Sequence, residues 1–213
     1  MKPRTRIKIC GIREPEHGRL AAEAGADAIG LVFHPASPRH LTLERAREVV
    51  EALPPFVMAV ALFVDADPAE IRRVLDAVRI DFIQFHGDET ADFCERFRKP
   101  YLRAVRMAEG TDLLEWAGRF PGARALLLDA HVPGQPGGTG RTFDWAAIPR
   151  GLPVPIVLSG GLDPGNVARA VREVKPWAVD VSSGVESSRG VKDPARIVEF
   201  IRSVRSEDGI PPR

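Results

Sequence analysis

A cysteine and an aspartate end two short apolar runs, where side chains can do acid–base chemistry. Cys10 ends RIKIC at 6–10, and Asp129 ends ALLLD at 125–129. A thiol acts as a base or a nucleophile if its pKa is lowered, and Lys8, one layer below Cys10 on the same strand face, would help to lower it. A carboxyl at such a strand end is a candidate acid or base. The alternatives are a buried structural thiol and a carboxylate that caps a loop or pairs with a basic neighbour.

Other polar residues share the inward strand face or lie close to it. Asp180 is expected beside Lys8, either as an acceptor for a substrate hydroxyl or as the structural partner of the lysine. Arg39, in PASPR, carries a fork that suits a carboxylate, although loop arginines are commonly only solvated. Gln84 and His86 have the same parity, and His86 is either catalytic or a hydrogen-bonded structural histidine. No histidine spacing indicates a metal site.

Two segments near the end of the chain indicate a phosphate site. VPIVLSGGL at 154–162 and WAVDVSSGVE at 177–186 are β-branched runs that stop at small residues. Small residues just after a strand let backbone N–H groups converge on an anion without interference from Cβ atoms. We therefore predict a phosphorylated substrate, bound by Gly160, Gly161, Ser183 and Gly184.

The elements that position these residues follow a β/α alternation. Strands are predicted at 6–10, 28–32, 57–63, 81–85, 101–105, 125–129, 155–158 and 178–181. Helical segments are predicted at 15–24, 43–52, 68–78, 89–97, 112–117, 143–148, 164–174 and 194–204, several with an Asp-Pro start. Eight β units, each followed by a helix, predict a single (β/α)8 TIM barrel over 1–205 with the phosphate site after strands 7 and 8. An open doubly wound sheet is the rival fold, and 206–213 is predicted to be a frayed tail.

Composition limits the class of protein. The chain has 213 residues and a net charge of +1, so we expect neither nucleic acid nor a membrane surface as a partner. No apolar run is long enough for a membrane span, the N-terminus lacks a signal-peptide core, and two cysteines make no disulfide framework. These features predict a cytoplasmic protein. The glycine-rich stretch at 131–141, HVPGQPGGTGR, is either a mobile lid or a plain surface loop.

Taken together, the motifs resemble the phosphoribosylanthranilate isomerases over nearly the whole chain. The matching segments are KICGI (8–12), GLVFHPASPR (30–39), ALFVD (61–65), IQFHGDE (83–89), LLLDA (126–130), GGTGRTFDW (137–145), LSGGLDPGNV (158–167) and VDVSSGVESSRGVKD (179–193). The resemblance implies an Amadori rearrangement of N-(5′-phosphoribosyl)anthranilate without a cofactor, as a monomer or a homodimer. The alternatives are another phosphosugar isomerase or epimerase barrel, including a metal-dependent one, and a catalytically dead scaffold.

The resemblance also implies roles for residues of this chain. Cys10 would be the general base and Asp129 the general acid. Arg39 would bind the anthranilate carboxylate, and Asp180 would lie near the sugar hydroxyls. The glycines of the two late loops, with Ser183, would bind the phosphate. Gly138, in the matched glycine-rich segment, is a further candidate contact.

Overall fold

A computed structural model describes residues 4–130 and 142–209. Its eight parallel strands close into a barrel in sequence order, and β8 pairs with β1. The predicted barrel is therefore confirmed, and the open sheet is wrong. The strands are β1 (Arg6–Cys10), β2 (Ala28–Val32), β3 (Met58–Phe63), β4 (Phe82–Phe85), β5 (Tyr101–Met107), β6 (Ala125–Ala130), β7 (Ile156–Leu158) and β8 (Ala178–Val181).

Helices cover the outside of the barrel. They are α1 (Pro15–Ala24), α2 (Leu43–Glu51), α3 (Pro68–Ala77), α4 (Ala91–Glu95), α5 (Leu113–Arg119), α6 (Val167–Val174) and α7 (Pro194–Glu207). After β6 the described residues contain a 3₁₀ turn, Trp145–Ala147, in place of a full helix. A hairpin of β9 (Glu186–Ser188) and β10 (Val191–Lys192) separates β8 from α7.

Helix starts depend on where polar side chains form their hydrogen bonds. Asp67 and Asp193 accept bonds from backbone N–H groups of the first turn, as the Asp-Pro signals predict. The predicted start of α6 is too early, because the Asp163 carboxylate accepts from two N–H groups in a turn that precedes the helix. The predicted start of α4 is also too early. Glu89 accepts from the backbone of Asp65 and from a buried arginine, so it is not part of that helix.

Strand alternation sorts the side chains as predicted. Ile7 and Ile9 are buried in the cluster between barrel and helices, whereas Lys8 points inward to meet Asp180. The lower barrel interior is filled by small and medium apolar side chains: Ala28, Val60, Leu102, Ala104, Ala125, Leu127, Val157 and Ala178. This packed layer closes the barrel below, so the polar inward residues gather at the carboxyl ends of the strands.

The lower end of the barrel is held by charged contacts. Asp27 accepts hydrogen bonds from Arg4 and from the backbone N–H of Ile7. Burial alone would raise the pKa of Asp27, but these bonds and the neighbouring guanidinium groups hold it below its ordinary value of 3.8. Asp208 accepts from the backbone N–H of Thr5 at 2.7 Å and from its hydroxyl at 2.9 Å.

The predicted frayed tail therefore starts too early. Helix α7 continues through Glu207, and the buried Asp208 carboxylate fastens its end to the first strand. Within the described residues, no helix has the length and apolar character needed to cross a membrane.

Candidate active site

The thiol and its neighbours lie inside the barrel at the ends of β1 and β8. Lys8 Nζ donates to Asp180 Oδ1 at 2.8 Å, and both side chains are 5% exposed. The second Asp180 oxygen accepts from Ser159 Oγ at 3.3 Å. The Lys8 ammonium also lies close enough to Cys10 to favour the thiolate form. The predicted Asp180–Lys8 contact is thus present, one layer below the thiol.

Lys8 acts on the thiol in the expected direction, but the net pKa of Cys10 is raised. Burial raises the pKa of Cys10 above its ordinary value, although the ammonium groups of Lys8 and Lys192 act in the opposite direction. Burial also disfavours the charged form of Lys8, but Asp180 and Cys10 bring the net pKa of that lysine above its ordinary value. The second thiol, Cys94, is buried against the helices, and its pKa is raised to about 12 by burial.

A glycine provides the space for the thiol. A Cβ on Gly30, the β2 neighbour of Cys10, would lie 2.6 Å from Cys10 Sγ and 3.0 Å from its Cα. No real Cβ comes that close to a sulfur or backbone atom, so only glycine lets the thiol occupy this position.

The carboxyl at the end of β6 is positioned by a histidine. His86 Nε2 lies 3.1 Å from Asp129 Oδ2, and Gln84 Nε2 lies 2.9 Å from His86 Nδ1. With the Gln84 amide as donor, His86 Nδ1 accepts and Nε2–H donates to Asp129. The contact engages the Oδ2 atom of the carboxyl. Gln84, His86 and Asp129, identified separately in the sequence, form one hydrogen-bonded chain.

Arg39 is held at the rim by a residue that the sequence reasoning missed. Its Nε and Nη2 donate to the two Glu186 oxygens at 2.7 and 2.9 Å. The arginine stem crosses the residue after the thiol, because a Cβ on Gly11 would lie 2.5 Å from Arg39 Cδ. Arg39 therefore reaches the mouth directly beside Cys10.

Glu186 has a second cation, which the sequence reasoning also missed. Lys192 Nζ donates to Glu186 Oε1 at 2.9 Å and to the Ser182 carbonyl at 2.8 Å. The β9–β10 hairpin places Lys192 opposite Glu186, and the Gly190 N–H donates to Glu186 Oε2. A glutamate and a lysine on either side of a glycine turn, in VESSRGVKD, was the available sequence signal.

The two glycine-bearing loops after β7 and β8 are packed against neighbouring backbone. Gly160 and Gly161 have positive φ, and a Cβ on Gly160 would lie 2.2 Å from the Ala130 backbone nitrogen. A Cβ on Gly184 would lie 1.9 Å from the Leu162 carbonyl oxygen. Ser183 begins the short 3₁₀ turn that follows β8. The predicted phosphate residues are thus brought together, next to the end of β6.

Part of the predicted site lies outside the described residues. Gly138 and the whole stretch at 131–141 belong to that part. In the two described ranges, no group of three or more His, Cys, Asp or Glu side chains has an arrangement that could hold a metal ion.

The fold and the site define a class. A closed (β/α)8 barrel that carries a thiol, a histidine-bound carboxyl and two tight glycine loops at its carboxyl-terminal mouth has the architecture of the TIM-barrel enzymes. The family model of N-(5′-phosphoribosyl)anthranilate isomerase matches residues 7–203. The chain belongs to this isomerase family.

Individual relatives agree with the family match. The N-(5′-phosphoribosyl)anthranilate isomerase of Pseudomonas aeruginosa (strain UCBPP-PA14) is 57% identical over 204 residues, which cover 96% of this chain and 97% of the relative. The crystal structure of the Thermotoga maritima enzyme has a TM-score of 0.86 and 40% identity, and covers 95% of this chain and 99% of its own. A further structure, with a TM-score of 0.81, 37% identity and coverages of 95% and 99%, holds reduced 1-(o-carboxyphenylamino)-1-deoxyribulose 5-phosphate.

Proposed function

We propose that this chain converts N-(5′-phosphoribosyl)anthranilate into 1-(2-carboxyphenylamino)-1-deoxyribulose 5-phosphate, an Amadori rearrangement in tryptophan biosynthesis. The observation that carries this proposal is the match to one isomerase family across the whole barrel. A solved relative that binds the reduced product gives the substrate class.

Asp129 is the general acid in this proposal. The furanose ring opens when its oxygen is protonated as the C–O bond breaks, which requires a protonated carboxyl. The His86 contact at Oδ2 leaves Oδ1 for that proton. Loss of the proton to the ring oxygen leaves an Asp129 carboxylate and an iminium on the substrate.

Cys10 is the general base. The iminium makes the proton on sugar C2 acidic, and a thiolate takes it to give an enolamine, which tautomerises to the ketone. Because burial raises the pKa of Cys10, the thiolate needs nearby positive charge. Lys8 and Lys192 supply two cations, and the substrate iminium adds a third beside the sulfur. Ring opening therefore precedes and assists proton abstraction.

The two ends of the substrate are held by different parts of the mouth. Arg39 binds the anthranilate carboxylate through its guanidinium, and Asp180 accepts from a sugar hydroxyl. Backbone N–H groups of the late loops bind the phosphate, with Gly160, Gly161, Ser183 and Gly184 as the contacts. Gripping both ends fixes the sugar between Asp129 and Cys10, which converts proton transfer into an oriented intramolecular step.

The proposed setting is the cytoplasm, where the two free thiols stay reduced. The chain acts as a monomer or a homodimer on a small phosphorylated substrate, without a nucleic-acid or membrane partner.

The test is an anthranilate-fluorescence assay on freshly made N-(5′-phosphoribosyl)anthranilate. Wild type is compared with Cys10→Ala and Asp129→Ala, each with a chelator present. We expect chelator-resistant turnover by wild type and a loss of about 10²–10⁴-fold in kcat/KM for each variant. Folding of the variants is checked by near-UV circular dichroism.

Other outcomes identify what is wrong. A folded wild type without turnover would refute the proposed substrate and direct attention to other phosphosugars. Inhibition by the chelator would favour a metal-dependent epimerase. Full activity of Cys10→Ala would preserve the reaction but remove the thiol from it, and His86→Ala would be measured next.

A further inference from the structure

The Glu186 carboxylate occupies an unusual place at the barrel mouth. It receives four donors: two from Arg39, one from Lys192 and the Gly190 N–H. Its side chain is 4% exposed, so these donors have replaced water. Burial would raise the pKa of Glu186, but the Arg39 and Lys192 contacts bring it below its ordinary value. The group is thus a fixed, buried anion.

Glu186 binds one edge of the Arg39 guanidinium, and this choice determines which N–H groups stay available to a ligand. Nε and Nη2 form the side edge of a guanidinium, and this edge is in the bidentate contact. The end edge, which consists of the Nη1 amino group and one N–H of Nη2, therefore stays available to a ligand. A guanidinium is planar, so fixing one edge fixes the direction of the other.

Lys192 keeps this arrangement from neutralising Arg39. A lone glutamate–arginine pair carries no net charge and attracts a second carboxylate weakly. Arg39, Glu186 and Lys192 together carry a net charge of +1 on three largely buried side chains. Lys192 is 1% exposed and is tied to the Ser182 carbonyl, so its charge stays close to the guanidinium.

We propose that Glu186 is a positioning residue that holds Arg39 by its side edge and thereby directs its end edge at the substrate carboxylate, with Lys192 as the balancing charge. The inference rests on the proposed function, because it assumes that Arg39 meets that carboxylate. Holding the guanidinium before the substrate arrives removes the entropy cost of orienting a long side chain on binding. Glu186 itself touches no substrate atom.

Two ligands that differ only in the carboxyl group distinguish a positioning role of Glu186 from a purely structural one. One is the reduced product, 1-(2-carboxyphenylamino)-1-deoxyribitol 5-phosphate, and the other is its phenylamino counterpart without the carboxyl. Both have the same phosphate and sugar, so the ratio of their Kd values by calorimetry reports the carboxylate contact alone. Wild type should prefer the carboxylated ligand by roughly 10–100-fold, the range for charge-assisted hydrogen bonds. Arg39→Met should lose this preference.

Glu186→Gln should reduce the preference by about tenfold and leave the Kd of the decarboxylated ligand unchanged. In turnover it should raise KM more than it lowers kcat. The double variant Glu186→Gln/Lys192→Met removes the carboxylate together with one cation and should lose the preference even if the single variant folds poorly. The matched control is Glu207→Gln, which changes the same charge in the arginine pair between α6 and α7 and should keep the wild-type ratio.

Three results would overturn the proposal. If the ratio of the two Kd values in Glu186→Gln equals that of wild type, Arg39 does not depend on Glu186 for its orientation. Equal weakening of both ligands would assign Glu186 a purely structural role. A wild type without preference for the carboxylated ligand would refute the carboxylate role of Arg39 itself, and this failure is distinct because it appears before any variant is made.

Discussion

The buried ion pair beneath the thiol provides the sharpest test of the structure. Lys8 and Asp180 lie 2.8 Å apart at the seam between β1 and β8, each 5% exposed. We predict that Asp180→Asn and Lys8→Met each lower the free energy of unfolding by about 3–5 kcal/mol, because each leaves an uncompensated buried charge. The double variant Lys8→Met/Asp180→Leu, which leaves no charge, should lie within about 1–2 kcal/mol of wild type.

The magnitude follows from two opposing energies. At 2.8 Å and an effective dielectric constant of 20, the Coulomb attraction of the pair is about 6 kcal/mol. Removing each ion from water costs several kcal/mol, so the intact pair contributes little in net terms. When one partner is deleted, the other retains its desolvation cost and loses the attraction. Small domains have about 5–15 kcal/mol of stability, so single variants remain measurable.

Urea unfolding at pH 7, followed by circular dichroism and tryptophan fluorescence, measures all three variants. The slope of the free energy against urea must stay unchanged for the comparison to hold. The exposed pair Glu115–Arg119, at 3.8 Å, is the control, and Glu115→Ala should cost under about 0.5 kcal/mol. The reasoning is refuted if either single variant of the buried pair costs less than about 1 kcal/mol, or if the double variant is as unstable as the two losses added.

Three further predictions follow from single positions. Gly30→Ala should lower kcat/KM by about a hundredfold in steady-state kinetics, because the new Cβ would lie 2.6 Å from Cys10 Sγ and force the sulfur to move. Asp27→Asn should cost about 1.5–3 kcal/mol at pH 7 in urea unfolding. Since the folded pKa of Asp27 lies below 3.8, this deficit is present above that pH and disappears as the pH falls through the folded value. Phe56→Gly should raise the free energy of unfolding by about 0.5–1 kcal/mol in thermal scans, because Phe56 has φ of 68° and an exposed ring.

Each of these has a control or a contradicting result. Gly118 lies on an exterior helix, where a new Cβ would meet no atom within 4 Å beyond the helix's own backbone and the adjacent residues. Gly118→Ala should therefore keep the wild-type kcat/KM and raise the free energy of unfolding by about 0.5–1 kcal/mol. Wild-type activity in Gly30→Ala would mean that the sulfur has another productive position. A deficit in Asp27→Asn that does not shrink as the pH is lowered below 3.8 would contradict the electrostatic account. A less stable Phe56→Gly would contradict the argument from backbone strain.

Strand parity carried most of what the sequence could predict. A period of two assigns each strand residue to one face of the sheet. In a parallel barrel the outer face packs against the helices, whereas the inner face carries the polar groups at the carboxyl ends of the strands. That argument put Lys8 beside Asp180 and grouped Gln84 with His86, and both contacts are present. It also placed Asp129 on the inner face, where the structure has it.

Contacts between distant loops were beyond that argument. Glu186 meets Arg39 across 147 positions of the chain, and no local periodicity encodes such a meeting. The net pKa of the thiol was also beyond that argument, because parity identifies the neighbour Lys8 but not the burial, which is the largest influence on the pKa of Cys10. The predicted start of α6 was wrong because the Asp163 carboxylate accepts a hydrogen bond from Gly165 in a turn before the helix.

The seam between the first and last strands has a consequence for how the chain is made. Lys8 and Asp180 are 172 positions apart, so the first strand emerges from the ribosome long before its second neighbour exists. At about 5–20 residues per second, synthesis leaves that strand edge unpaired for roughly ten to thirty seconds. The Thr5–Asp208 clasp forms later still. Barrel closure is therefore a late event in folding, and the first strand keeps one unpaired edge until the eighth strand is available.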